Sequence, residues 1–439
     1  MTVSSAIHSG NIVDAEIIER LYSIAGKPAR NYQSPIHRWF RFPAGFAADF
    51  IDGILEQFAN EIDEKPILDP FGGTATSLIC ARKLGFNSVG IEAHPLFYRI
   101  GKTKLQWDVD LTDLSLAVEE FVADISQGVD SAPGFETYPD LVKKCFSIET
   151  LKQFDAAVEL LNLMKKNSDG IVTDFLWLGL VAIVRKVSHC CTSPWQYVLP
   201  NKKRVNHPNA ITALRKQYSQ MLGDLLFLQK QCIPPASSIL VYGDARTPSF
   251  LDKESVSLAI SSPPYLNNYD YSDATRLESY VLRDASSWAE ITQNFRSKLI
   301  VSATTQVKRT GFDPEAMSQE IPRRIRADLL GTVNRLTDAR KHKGGKKNYD
   351  IVVCHYFSDM SKVLREMARI LEPGKLFIMM VGDSAPYGIY VPTDEWLTEL
   401  ALDYGFSDCQ LIKLRSRNNR WDNRKHNVPL RESLVLLRR

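Results

Sequence analysis

The sequence predicts an α/β protein whose core is a mainly parallel β-sheet. The first observation is the stretch 65–92, which reads as a strand, a glycine turn, a helix and a second strand that ends at Glu92. This order is a βαβ unit with a right-handed crossover, so its two strands lie parallel in one sheet. The second observation is that apolar runs typical of buried strands return at 238–246, 256–260 and 376–381.

Further segments complete the predicted architecture. Residues 46–58 have apolar side chains at helical spacing and are expected to pack on the sheet. Residues 357–371 predict an amphipathic helix that leads into the strand at 376–381, and another helix is expected over 395–404. The apolar end of the chain, 433–437, predicts a last strand.

Two insertions interrupt the sheet-forming sequence. Residues 111–235 have long helical periodicity and predict a helical insertion. Residues 266–348 are rich in Arg and Lys and predict a basic, irregular insertion. The sheet-forming domain is then made of three pieces of chain, 30–110, 236–265 and 349–439.

The bulk composition is that of a globular protein. Of its 439 residues, 44% are hydrophobic and 24% are charged, which argues against a disordered or fibrous class. The sequence has no run of about 18 apolar residues and no signal-like start, so we expect a cytoplasmic protein without a membrane partner. The seven Cys form no CxxC pair, so we expect reduced thiols and no metal site.

The basic residues are clustered, although the net charge is only +3. The clusters lie at 202–204, 323–326, 340–347 and 415–425. A single cluster of this kind is better explained as a solvated loop. Four clusters in one chain weaken that explanation and indicate a surface for a polyanion.

The first motif with chemical meaning is the run DPFGGT at 69–74. A strand that ends in glycines and opens a helix lets the backbone approach a ligand closely, and Glu92 at the end of the next strand suits the two hydroxyls of a ribose. A nucleoside-bearing ligand is therefore predicted. The GxGxxG fingerprint is absent, and Asp69 suits a cationic amine or sulfonium better than a pyrophosphate. The alternative is a tight turn that only closes the βαβ unit.

The second motif is Ser262-Pro263-Pro264-Tyr265, which follows the apolar run 256–260. Two consecutive prolines cannot donate to a sheet and hold φ near −65°, so the strand ends there in a stiff turn. The serine before them and the tyrosine after them are held in place. The alternative is a proline-stiffened loop with a packed tyrosine, and the polar residues at 267–271 read equally well as an ordinary loop.

Together the two motifs resemble those of the DNA amino-methyltransferases, which use S-adenosylmethionine to methylate the exocyclic amine of cytosine or adenine. The run FPAGF at 42–46 is similar to the segment that lies over the methionine end of the cofactor in that family, and residues 424–432 are also similar. The resemblance covers roughly half of the chain and leaves both insertions unmatched. It implies a Rossmann-like class I methyltransferase fold, with a seven-stranded, mainly parallel sheet and helices on both faces.

The resemblance also implies roles for individual residues. Glu92 would contact the ribose and Asp244 the adenine of the cofactor. The residues that it assigns to cofactor binding are Phe42, Pro43, Ala44, Asp69, Pro70, Phe71, Gly72, Gly73, Thr74, Glu92, Asp244 and Ala245. The residues that it assigns to catalysis are Ser262, Pro263, Pro264 and Tyr265.

These catalytic residues suit the chemistry of an aromatic amine. Its lone pair is delocalised into the ring, so catalysis requires acceptors that draw on the N–H bonds. The hydroxyl of Ser262 and the carbonyl of Pro263 are such acceptors, held in place by the proline turn. Tyr265 offers a ring on which the base can stack once it has been flipped out of the duplex.

At the first position of the motif this sequence has Ser262 rather than Asp, and in this respect it resembles the cytosine-N4 enzymes. We therefore predict a site-specific DNA methyltransferase that acts on cytosine N4, as the modification enzyme of a prokaryotic restriction system. Its expected partners are double-stranded DNA, which would associate it with the nucleoid, and a cognate restriction endonuclease. An adenine-N6 target, an RNA base and a catalytically inactive binding protein remain alternatives.

The DNA contacts are expected in the basic insertion and the segment 415–425. The residues are Arg340, Lys341, Lys343, Lys346, Lys347, Arg417, Arg420 and Trp421. The helical insertion is expected to be a scaffold or a dimer surface, and Trp195 with residues 202–204 at its edge is the alternative contact.

Overall fold

The computed structural model describes residues 12–25, 31–128, 134–167, 170–194, 196–343, 347–417 and 428–439. The strands, in chain order, are β1 (Ile67–Asp69), β2 (Ser88–Glu92), β3 (Cys190–Thr192), β4 (Val198–Lys203), β5 (Ser238–Tyr242), β6 (Val256–Ser261), β7 (Leu371–Gly382), β8 (Asp408–Arg417) and β9 (Leu430–Arg438).

The α-helices are α1 (Ala15–Ala25), α2 (Ala48–Gln57), α3 (Thr76–Lys83), α4 (Pro95–Lys104), α5 (Leu111–Gly128), α6 (Asp140–Cys145), α7 (Ile148–Asn167), α8 (Gly170–Ile183), α9 (Ala210–Gln229), α10 (Tyr271–Ala274), α11 (Arg276–Val281), α12 (Trp288–Asn294), α13 (Pro314–Ser318), α14 (Arg323–His342), α15 (Tyr349–Ile370) and α16 (Thr393–Asp403). Short 3-10 turns lie at His37–Trp39, Ala59–Glu61, Gly134–Thr137, Arg296–Lys298, Thr304–Gln306 and Pro386–Gly388.

The central sheet has the strand order β5-β2-β1-β6-β7-β9-β8. Strand β9 pairs antiparallel with β7 and β8, and the other neighbouring pairs are parallel. The predicted seven-stranded, mainly parallel sheet is therefore confirmed. The chain runs outward from β1 to β5 on one side and from β6 to β8 on the other, so the direction reverses between β1 and β6. At such a reversal the carboxyl ends of the strands leave a crevice for a ligand.

The central strands are buried on both faces, as is usual for parallel sheets covered by helices. Leu258 and Ile260 of β6 belong to a core with helices α1 and α2. Val256 and Ala259 of the same strand belong to a second core with helices α14, α15 and α16. The helices on both faces that the sequence predicts are thus present.

The helical insertion is attached to the sheet domain through Asp224 of α9. This buried carboxylate accepts hydrogen bonds from the backbone N of Ile36 at 3.0 Å and from the indole Nε1 of Trp39 at 2.9 Å. The guanidinium of Arg38 also donates to it, at 3.1 Å from Nε. A buried carboxylate is stable only when it is paired. These bonds fix the segment that leads into Phe42 against helix α9.

The basic insertion is not irregular, contrary to the prediction. It contains helices α10 to α14, and α14 alone has 20 residues. Ile325, Leu329, Val333 and Leu336 recur at helical spacing along α14 and are buried against the sheet domain. The many Arg and Lys between them conceal this pattern when the segment is judged by its composition.

The segment at 415–417 also differs from the expected loop. It is the end of β8, which forms an edge of the sheet. Charged side chains are common on edge strands because they prevent pairing with another chain. Among the described helices, none combines the length and the apolar composition that a membrane crossing requires.

Candidate active site

A pocket opens at the carboxyl edge of the sheet, where β1 and β6 lie side by side. It encloses about 820 Å³ of space, including its open mouth, which is in the range of ligand pockets. Its walls come from segments that are distant in sequence, at 42–46, 69–76, 91–97, 243–245, 262–271 and 298–300.

The glycine turn forms the floor of this pocket. Gly73 has a φ of 52°, in the left-handed region that favours glycine. Gly72 donates its backbone N–H to the carbonyl of Ile91 at 2.8 Å. A Cβ on Gly72 would lie 2.7 Å from Cδ1 of Leu240. The turn therefore presents backbone rather than side chains to a ligand.

Asp69, at the end of β1, is held by three donors. Its carboxylate accepts hydrogen bonds from the backbone N of Phe71 at 2.9 Å and from Oγ of Ser261 at 2.6 Å. Oγ of Ser77 donates to its other oxygen. Burial raises the pKa of Asp69, and the three donors oppose that rise. The residue shapes the turn and gives the wall a polar group.

Glu92, at the end of β2, is held in the same way. Its Oε2 accepts the backbone N–H of Gly73 at 2.7 Å, and its Oε1 accepts that of His94 at 2.6 Å. Burial raises the pKa of Glu92 to about 7. A carboxylate oxygen can accept more than one hydrogen bond. Glu92 lines the pocket and remains able to accept from a ligand.

One side of the pocket is aromatic. The ring centroids of Phe42 and Phe97 are 4.6 Å apart, and His94 stacks on Phe295 at 5.5 Å. Burial lowers the pKa of His94 to about 3, so its ring is neutral. Nε2 of His94 lies 3.1 Å from Oγ1 of Thr275, which fixes the ring. This wall suits a flat, uncharged group.

Another part of the wall is polar. Asp244 follows β5, and its carboxylate is paired with Arg246 at 2.6 Å. Lys298, from the basic insertion, donates from Nζ to the hydroxyl of Tyr242 at 2.8 Å. Asp244 and Lys298 both line the pocket.

The Ser-Pro-Pro-Tyr motif follows β6 directly. Ser262 and Pro264 line the pocket, whereas Pro263 and Tyr265 do not. The hydroxyl of Ser262 donates to the carbonyl of Met380 on the neighbouring strand at 3.3 Å. Because its proton is directed to Met380, the oxygen of Ser262 keeps its lone pairs for other donors.

Tyr265 is held from behind by charged residues of the last two strands. Its hydroxyl donates to Oε1 of Glu432 at 2.8 Å, and Arg415 donates to the other oxygen of Glu432. The guanidinium of Arg417 lies over the Tyr265 ring at 5.2 Å and donates to the carbonyl of Asp383 at 2.7 Å. Burial raises the pKa of Tyr265, so its phenol is a neutral donor.

The structure brings most of the predicted cofactor-binding residues into one pocket. Of that set, all except Pro43 line it. The residues that sequence reasoning missed include His94, Phe97 and the segment 298–300. The position of His94 and Phe97 just after Glu92 was an available signal, because residues after a strand end share its edge of the sheet. No local signal marks 298–300.

The residues predicted to contact DNA are only partly described. Arg417 lies beside Tyr265, and the carbonyl of Lys347 accepts from the hydroxyl of Tyr387, just beyond the end of β7. Lys341 is paired with Asp338 at 2.8 Å. Arg340 and Lys343 lie at the end of α14. Lys346, Arg420 and Trp421, with Trp195, lie outside the described residues.

The architecture defines a Rossmann-like methyltransferase fold with a nucleoside-sized pocket at its switch point. No family model matches the chain. The chain is, however, similar over most of its length to curated proteins of one kind.

The relatives are Type II methyltransferases. M.BsoBI of Geobacillus stearothermophilus is 24% identical over 452 residues, covering 92% of this chain and 86% of that protein. M.AvaI of Nostoc sp. is 22% identical, covering 88% of this chain and 82% of that protein. M.MvaI of Kocuria varians is 20% identical, covering 93% and 91%. The chain is thus a homologue of Type II methyltransferases, which confirms the resemblance based on the motifs.

Proposed function

We propose that this chain is a site-specific DNA methyltransferase that transfers a methyl group from S-adenosylmethionine to the N4 amine of a flipped-out cytosine. The observation that carries the proposal is the position of Ser262 at the edge of a pocket that also contains Glu92 and the glycine turn. The proposed nucleoside site and the proposed amine-activating serine would thus share one crevice. The designation of the relatives as Type II methyltransferases supports DNA as substrate and a role in restriction-modification.

The residues of the pocket fit S-adenosylmethionine. Glu92 would accept the ribose hydroxyls, and Asp244 would accept from the adenine amine. The neutral wall of Phe42, Phe97 and His94 suits a flat or apolar part of the ligand. When bound, the cofactor supplies a methyl group on a positively charged sulfur.

The Ser-Pro-Pro-Tyr motif would prepare the amine for transfer. Oγ of Ser262 and the carbonyl of Pro263 would accept the two N–H bonds, which localises the nitrogen lone pair toward the methyl group. The contact of Ser262 with Met380 suits this role because it directs the serine proton away from the substrate. No strong base is required, since the amine becomes acidic once it is methylated.

The choice of cytosine rests on Ser262, which resembles the cytosine-N4 enzymes. DNA contacts are proposed for the end of α14, with Arg340, Lys341, Lys343 and Lys347, and for Arg417 near Tyr265. Lys346, Arg420 and Trp421, which lie outside the described residues, stay predicted DNA contacts from the sequence. Of the described members, Lys347 accepts through its carbonyl from the hydroxyl of Tyr387 just beyond the end of β7, and Arg417 lies beside Tyr265.

The test is to incubate the protein with labelled S-adenosylmethionine and unmodified genomic DNA, and to separate the nucleosides by mass spectrometry. We expect label in N4-methylcytosine, and we expect Ser262→Ala to abolish it while cofactor binding persists. Label in N6-methyladenine would retain the mechanism and reject the cytosine assignment. Label in RNA alone would reject the DNA substrate.

A further inference from the structure

A second depression lies beside the proposed active site, between the helical insertion and the chain that leads into Phe42. We call it the cationic cleft, and its charged lining residues are Arg38, Arg41, Arg185, Lys186, Arg204 and Glu278. It combines the segment before the cofactor pocket, the end of α8 and the β3–β4 hairpin. None of the sequence patterns places these parts together.

Two of the five cations are neutralised inside the protein. Arg38 is paired with the buried Asp224, and Arg185 is paired with the buried Glu278. Both ion pairs are explained by their role in stabilising the fold. Glu278 is the carboxylate of the cleft lining, and because Arg185 occupies it, it is not available to the other cations.

The remaining three cations have no carboxylate partner among the described residues. Arg41 is exposed and lies 5.7 Å over the ring of Tyr32. Arg204 is exposed and donates only to the carbonyls of Arg185 at 2.9 Å and Lys186 at 3.3 Å. Lys186 donates to Gln217, and its pKa is lowered by burial and by Lys216. A cleft with this surplus of positive charge attracts anions.

The shape of the positive surface favours a polymer over a small anion. Lys202 and Lys203, which precede Arg204 at the end of β4, are also exposed, and Nζ of Lys203 donates to the carbonyl of Lys144 at 2.6 Å. A chain of phosphates can contact several such separated cations at once, whereas a single phosphate cannot.

The cleft is connected to the proposed reaction site through the β3–β4 hairpin. Nε2 of Gln196 donates to the carbonyl of Arg41 at 2.8 Å, and Arg41 precedes Phe42 of the pocket wall. The hydroxyl of Tyr197 accepts the backbone N–H of Asp270 at 3.0 Å. The hairpin therefore bridges the cleft to the chain that follows Tyr265.

We infer that Arg41, Lys186 and Arg204 bind the phosphodiester backbone of the target DNA next to the flipped nucleotide. The inference rests on the proposed function and assigns to the helical insertion a direct part in holding the substrate. A flipped base rotates about its own backbone, so the flanking phosphates must be held close to the catalytic motif.

The test compares Arg41→Ala, Arg204→Ala and the double variant with the parent chain. The control is Arg365→Ala, which removes the same charge from an exposed site near the end of α15, just before β7 begins at the opposite edge of the sheet. Binding of unmethylated duplex DNA is measured by fluorescence anisotropy between 50 and 200 mM salt, and cofactor binding by calorimetry.

Each lost phosphate contact lowers the slope of log affinity against log salt by about 0.9. Over this fourfold range of salt, the affinity of the parent chain should therefore fall about 3.5-fold more than that of a single variant, and the double variant should show twice the change in slope. Arg41→Lys and Arg204→Lys should retain the parental slope. Arg365→Ala should behave like the parent, and all variants should bind the cofactor normally.

Parental slopes in both single variants and in the double variant would overturn the inference. If the parent chain methylates DNA and the variants keep the parental salt slope, only the inference about the cleft is rejected. A parent chain that neither binds nor methylates DNA rejects the proposed function. A salt-dependent slope for RNA alone rejects the assignment of the cleft to DNA.

Discussion

Oγ of Ser261 donates a hydrogen bond of 2.6 Å to the carboxylate of Asp69, and this bond joins the carboxyl ends of β6 and β1. It lies where the strand order reverses, between the glycine turn and the Ser-Pro-Pro-Tyr motif. Ser261 is buried and bonded to a buried partner, whereas its neighbour Ser262 lines the pocket. Of the two adjacent serines, Ser261 therefore stabilises the structure, whereas Ser262 faces the pocket.

We predict that Ser261→Ala mainly lowers stability and that Ser262→Ala mainly lowers the methyl-transfer rate. Ser261→Ala removes a buried hydrogen bond to a carboxylate and should lower the free energy of unfolding by about 2 kcal/mol. Ser262→Ala removes the hydroxyl's contacts with the carbonyl of Met380 and with Tyr265, so stability should fall little while the methyl-transfer rate falls at least about 100-fold. Urea unfolding and a single-turnover transfer assay measure the two effects. Equal loss of stability in both variants would contradict this division.

Cofactor affinity should depend on pH through Glu92. Its pKa in the free protein is raised to about 7, and ribose hydroxyls donate to its ionised form. The affinity for S-adenosylmethionine should therefore be nearly constant above about pH 8 and fall as pH decreases through 7, by up to about tenfold per pH unit below the pKa. Calorimetric titration from pH 8 to pH 5.5 measures the dependence.

Glu92→Gln is the control for this pH dependence. Because Gln does not titrate, the variant should bind the cofactor weakly at every pH in this range. Asp69 also has a raised pKa and lines the same pocket, so its contribution would remain in Glu92→Gln. An unchanged decrease of affinity in the Gln variant would assign the titration to Asp69 instead.

The ring of Tyr265 should matter more than its hydroxyl. Tyr265→Phe removes the 2.8 Å bond to Glu432, but Arg415 still pairs with that carboxylate. Tyr265→Ala also removes the ring, and stacking of a base on an aromatic ring contributes about 1–3 kcal/mol. We expect the Phe variant to retain most of its transfer rate and the Ala variant to lose about tenfold or more. Similar losses in both variants would show that the hydroxyl contact is the important one.

Gly382 should be essential for the position of Tyr265. A Cβ at Gly382 would lie 2.9 Å from Cδ2 of Tyr265 and would overlap the guanidinium of Arg417. Gly382→Ala should displace both side chains and slow methyl transfer at least about tenfold with unchanged cofactor affinity, because a small misplacement is costly in catalysis. The matched control is Gly331→Ala in α14, where a Cβ meets no atom within 4 Å. That variant should keep full activity and gain about 1 kcal/mol of stability.

Much of the sheet and part of the site could be predicted because their signals are local. The βαβ unit, the glycine turn and the proline turn after β6 follow from apolar periodicity, glycine freedom and fixed proline angles within a few residues. Parallel strands share an edge, so the expectation that Glu92 and the glycine turn meet was also available from the sequence. That expectation agrees with the bond between Glu92 and Gly73.

Other features depended on the path of the whole chain. The amphipathic pattern of α14 was concealed by its charges, and the polar edge strand β8 resembles a loop until its partner β9 is known. Contacts such as those of Arg417 with Tyr265 and of Asp224 with Trp39 join residues more than 150 positions apart. Local sequence therefore determined which turns and strands form. Only the tertiary structure decided which charges are neutralised and which remain beside the pocket, because pairing depends on distances that sequence spacing does not encode.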